Sequence, residues 1–141
     1  MSASVAYVQS LHLVATESAT AAPTNKLDGI SEAPVQFAED SVDTNYLGSD
    51  GWKRNAQTLK SFTIPLSGHL MKGSAPHALL KSSFMTGATV YLLVIEDSAA
   101  PTGSQGWRFP VRATSFEEGK SSGDLVTLSC SLAGQGAPVA I

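Results

Sequence analysis

The sequence predicts a mainly β protein, an antiparallel β-sandwich or barrel with one flanking α-helix. Three observations point there. Apolar residues recur at every second position in several separate segments. Strand-like segments follow one another with turn signals between them, instead of alternating with helices. Only one segment, Ala75 to Met85, carries helix boundaries. At 141 residues the chain is expected to form one domain over 1–141. Its 43% hydrophobic content suits a packed core, and its 15% charged content argues against disorder.

Taken in order, Val5 to Ala15 reads as a strand with apolar groups on both faces, Tyr7, Leu11 and Leu13 against Val8, His12 and Val14. TESATAAPTNK, residues 16–26, is a small-residue loop or extended arm. Asp28-Gly29 marks a turn. Ile30 to Ala38 is strand-like, and Pro34, which cannot donate to a ladder, places it at a start or an edge. The acidic and polar run EDSVDTNY, residues 39–46, is able to continue the strand past a bulge. Leu47 to Gln57 is a polar, glycine-bearing loop in which Trp52 stands alone among polar neighbours. Trp52 either plugs its own domain or anchors another chain, since Trp and Arg are enriched at interface hot spots.

Thr58 to Leu70 has the cleanest alternation. Phe62, Ile64, Leu66 and Leu70 share a face with Thr58, Lys60 and Gly68, and the opposite face is mostly polar. Ser74 then offers an N-cap, Pro76 fits the first turn, and Gly87 stops a helix over about 75–85. Ala75, Leu79, Leu80, Ser83 and Phe84 lie near one face, and such a helix would cover one open face or end of a sheet. ATVYLLVI, residues 88–95, reads as the central strand. Trp107, Phe109, Val111 and Ala113 alternate inward in the next, and EEGKSSG, residues 117–123, turns the chain. Asp124 to Leu132 is the last strand, with Val126, Leu128, Cys130 and Leu132 inward. The tail AGQGAPVAI is uncharged and suited to packing. The total is six or seven strands.

The chemistry is sparse. A formal net charge of -3, with no basic cluster larger than Lys53-Arg54, discounts tight phosphate binding. A single cysteine excludes an internal disulfide, and Cys130 reads as a buried inert thiol. His12, His69 and His77 lack metal-ligand spacing. The acidic pairs Glu39/Asp40, Glu96/Asp97 and Glu117/Glu118 sit at turns, where they solvate the chain. No phosphate-binding glycine loop or nucleophile elbow occurs. No catalytic, cofactor-binding or metal-binding residue is therefore expected, and the chain reads as no enzyme. No apolar run approaches the roughly 20 residues a bilayer requires. The N-terminus has no basic region before an apolar block, so a signal peptide is not expected and cytoplasmic folding is.

VDTNYLGSDGWKRN, followed by LKSFTIPLSGHL, a helix, VYLLVIED and SGDLVTLSCSLAGQGAPV, resembles the major tail tube proteins of long-tailed (siphovirus-type) phages. The group is the TP901-1-like tail tube family, with relatives in gene transfer agents, and the likeness covers residues 28–141. It implies a β-sandwich with a flanking helix, hexameric rings stacked head-to-tail into a tube, and genome DNA passing through the lumen without specific binding. It implies other tail proteins as partners (tape measure, tail tip, terminator), no membrane, and a place in the virion. The loop 43–57 would be an inter-subunit arm, with Asp43, Tyr46, Leu47, Asp50, Trp52, Lys53 and Arg54 at the interface. The terminal segments would pack across subunits. A net acidic wall would repel phosphate and let DNA slide. Ring closure would pair exposed strand edges. Related readings are a tail terminator or a contractile-tail or secretion-type tube ring. A carbohydrate-binding sandwich would display an aromatic platform, whereas Trp107 is expected on a buried face.

Overall fold

The computed structural model describes residues 9–48, 50–70, 73–120, 122–123 and 125–141. The first-strand residues Tyr7 and Val8, loop residue Ser49, Met71 and Lys72 after the alternating strand, Ser121, and the expected strand start Asp124 lie outside these. The elements are β1 (Ser10–Val14), β2 (Ile30–Glu32), β3 (Gln36–Asp43), β4 (Asn55–His69), α1 (Ala75–Thr86), β5 (Val90–Ile95), β6 (Gly106–Gly119), β7 (Thr127–Gly134) and β8 (Val139–Ala140). All strands join one curled antiparallel sheet in the order β1-β5-β6-β7-β4-β2, with β3 added to β4 and β8 added to β6.

Eight strands among the described residues exceed the expected six or seven for local reasons. Pro34 lies in the gap that separates β2 from β3. The uncharged tail docks as β8 on β6, pairing Val139 with Arg108 and Ala140 with Trp107. The N–H of Gln105 also donates to the Ile141 carbonyl at 2.7 Å. The C-terminal tail thus packs on its own chain, with Val139 and Ala140 still exposed on their outer side.

Residues 26–30 tie the two ends of the sheet together. The Leu27 N–H donates to the Leu11 carbonyl beside β1, and the His69 N–H donates to the Gly29 carbonyl beside β4, both at 2.8 Å. Gly68 makes the second approach possible, because a Cβ there would overlap the Gly29 carbonyl oxygen. The curled sheet encloses Leu13, Leu27, Phe62, Ile64, Leu66, Leu92, Phe109, Val111, Leu128, Cys130 and Leu132. The period-2 faces of β4 and β7 are the expected ones. β5 is buried on both faces, with Leu92 and Leu93 both inaccessible.

α1 begins after Ser74 and ends at Gly87, whose φ of 73° places it in the left-handed region that favours glycine. Its buried face is Pro76, His77, Leu80 and Ser83, while Phe84 is exposed, contrary to the expected face. Polar bonds account for that rotation. The Ser83 hydroxyl donates to the Ala88 carbonyl and accepts the Ala113 N–H, where β6 shifts register. His77 Nε2 donates to the Asp28 carbonyl at 2.7 Å and fixes the helix to the closing segment. On the other side of that segment, His12 Nδ1 lies 2.8 Å from the Asn25 side-chain oxygen. The region 16–26 is therefore a fastened loop with a short 3-10 turn at Pro23–Asn25, not a free arm.

Candidate assembly interface

β3 and the first half of β4 leave the core as a two-stranded ribbon. Every residue of β3 is exposed, and so is β4 from Asn55 to Ser61; burial begins at Phe62. The ribbon pairs Phe37 with Phe62, Glu39 with Lys60, Val42 with Ala56 and Asp43 with Asn55. A register shift between Glu39 and Ser41 sets Thr58 and Leu59 opposite Asp40, the expected bulge, and such a bulge twists the ribbon. Phe62 is the joint: its ring lies 6.0 Å from Phe37 on the ribbon and 5.4 Å from Phe109 in the core.

Pairing through Asp43↔Asn55 narrows the expected loop 43–57 to residues 44–54. Gly48 and Gly51, both at φ 85°, allow its turns. Asp50 organises it by accepting the Trp52 N–H and pairing with Arg54 Nη2 at 2.5 Å. The Arg54 N–H donates to the Asn45 side chain at 2.7 Å. These polar bonds hold the apolar residues out in water. Trp52 is 75% exposed and Leu47 fully so, with Tyr46 close behind. Of the sequence-predicted residues, the structure thus brings Asp43, Tyr46, Leu47, Asp50, Trp52, Lys53 and Arg54 to one ribbon end. Trp52 does not plug its own domain. Phe37, Val42 and Leu59 extend the exposed apolar surface along the ribbon and were missed as candidates, although Leu59 stands as the one large apolar residue on the polar face of its strand.

A groove of about 750 Å³ lies at the ribbon's base, lined by Leu11, Ile30, Val35, Val94, Trp107 and Phe109 among others. Trp107 is 43% exposed there, so its expected burial is only partial. No cluster of three or more metal-ligating side chains occurs among the described residues. Burial pushes the Cys130 thiol up to about 11, which keeps it protonated and unreactive. No described helix is long and apolar enough to cross a membrane.

This fold and surface define a class: a small curled sheet with one helix, displaying an apolar arm that its own core leaves uncovered. The chain belongs to the phage tail tube protein family, which matches residues 9–140. Its fold is similar to that of a chain in the tail of an empty gene transfer agent particle refined with helical C6 symmetry, with a TM-score of 0.75, 19% identity, and coverage of 99% of each chain. It is also similar to the SPP1 tail tube, with a TM-score of 0.70, 10% identity, and coverage of 94% of this chain and 77% of that one. A chain in the anti-feeding prophage baseplate superimposes with a TM-score of 0.69, 9% identity, and coverage of 99% and 97%. No curated protein matches the sequence. The chain is a structural tail tube protein, and proteins of this family are virion components.

Proposed function

We propose that this chain is the repeating subunit of a tail tube in which six copies close a ring and rings stack head-to-tail. The observation that carries the reading is the ribbon and its tip, a long two-stranded arm apolar at its end and left exposed by the described residues of its own chain. An isolated two-stranded hairpin is marginal in water, so a partner surface is the natural source of its order. The sixfold count comes from the symmetry of the gene transfer agent tail and baseplate relatives. A contact between two different patches propagates instead of closing a dimer, which is the geometry of rings and filaments.

The tube conducts genome DNA. A chain of net charge -3 offers phosphates no net attraction, and the acidic side chains Glu39, Asp40 and Asp43 run along the exposed arm. The subunit performs no catalysis, and its further partners are the tape measure, tail tip and terminator proteins. Negative-stain electron microscopy of the purified chain, with light scattering alongside, tests this. Rings or tubes with a central channel are expected. A monomer that stays monomeric at high concentration, and also with tail-tip components added, contradicts it.

A further inference from the structure

We infer that the groove at the base of the ribbon receives the ribbon tip of another copy of this chain, with Trp52 seated inside and Lys53 against the acidic rim. The inference deepens the tube reading and rests on it.

The groove and the tip complement each other in chemistry. The groove is walled by aliphatic and aromatic side chains, with Leu11, Ile30, Val35 and Val94 around the half-exposed Trp107. At about 750 Å³ it has the size of sites that enclose a bulky side chain and its neighbours. Its rim carries Asp28, Glu32 and Glu96 against one cation, Lys26, which already pairs with Asp28 at 3.8 Å. Glu32 and Glu96 face no cation among the described residues. The tip presents the reverse: a fully projecting apolar pair, Leu47 and Trp52, with Lys53 beside it. Arg54 is occupied by Asp50, whereas Lys53 has no acidic partner among the described residues.

Geometry makes the contact intermolecular. Phe37 lines the groove and also begins the ribbon. From Phe37 to Asp43 the strand advances six residues, roughly 20 Å at about 3.3 Å each, before the tip loop starts. The tip therefore points away from its own groove and reaches only that of another molecule. The two surfaces differ, so each copy both gives a tip and receives one, as a repeating assembly requires.

The test places the photoreactive residue p-benzoylphenylalanine at position 52 of the full chain and maps cross-links by mass spectrometry after irradiation. Intermolecular links to residues 9–11, 26–35, 94–96 or 107–109 are expected. Links elsewhere, or none, overturn the assignment whether or not tubes form, while failure of the wild-type chain to assemble speaks against the tube reading instead. Charge reversal gives an independent check. Lys53→Glu is expected to raise the critical concentration for assembly on the order of tenfold or more, through like charges at the rim. Mixing it with Glu32→Lys/Glu96→Lys protein is expected to restore assembly. Equal assembly of Lys53→Glu and wild type contradicts the electrostatic half of the inference.

Discussion

Trp52→Ala separates folding from assembly. The side chain is 75% exposed in the isolated chain, and its described hydrogen bond is a backbone one to Asp50. Truncation therefore removes nothing from the core, and surface changes of this kind fall within about 0.5 kcal/mol of wild type in stability. Assembly is another matter. A tryptophan side chain offers roughly 200 Å², so about 150 Å² remains to be covered. At ~25 cal/mol per Å² that burial stabilises the contact by ~4 kcal/mol. Ordering the side chain and the partner surface costs ~1 kcal/mol, and the alanine methyl keeps a fraction of the rest. The net loss is ~2–3 kcal/mol per contact, a rise of roughly 30- to 150-fold in critical concentration. Sedimentation of assembled material against protein concentration measures it, with the monomer melting temperature as the control. A variant that melts and assembles like wild type refutes the anchoring role of Trp52, even though the family assignment stands.

Other changes probe the framework that holds the arm. Gly68→Ala sets a methyl group into the Gly29 carbonyl oxygen and forces the closing segment off β4; a loss of ~1–3 kcal/mol in urea unfolding is expected, and no loss would show that this end of the sheet is loose. Ser83→Ala strips the Ala113 N–H and the Ala88 carbonyl of their shared partner, so denaturation should show a drop of ~1–3 kcal/mol. Cys130 should resist thiol reagents at pH 8 until the chain unfolds. Its folded pKa is raised from 9.0 to about 11 by burial, so its contribution is intact below about pH 9 and lost as the pH climbs through 11. Rapid labelling of native protein would contradict the burial.

Much of the fold was legible because it is written in period 2. Phe62, Ile64 and Leu66 on β4 and Leu128, Cys130 and Leu132 on β7 alternate as a half-buried strand must. The glycine-bearing loop around Trp52 was legible as a loop, but its sequence left open whether Trp52 plugs its own domain or faces outward, and only the structure shows it exposed. What alternation cannot tell is whether an apolar face finds its cover within the same chain. Phe37 read as a residue of a packed strand, yet it stands in water because β3 and the first half of β4 extend past the core. The face of α1 was only partly legible: Leu80 and Ser83 are buried as expected, but Ala75 and Phe84 are exposed and His77 is buried instead. Apolar spacing brought Phe84 inward, but Ser83 and His77 find specific carbonyls and amides in the sheet, and those pairings set the rotation. Order within the sheet, β1-β5-β6-β7-β4-β2, depends on non-local pairing that no local pattern encodes.

In the proposed tube the arm joins one copy to another. Cryo-electron microscopy of particles assembled from the full-length chain tests it most directly. Stacked rings around an open channel are expected, with residues 44–54 of each copy buried against a different copy. Rings whose arms project into solvent, or compact oligomers with no channel, would contradict it.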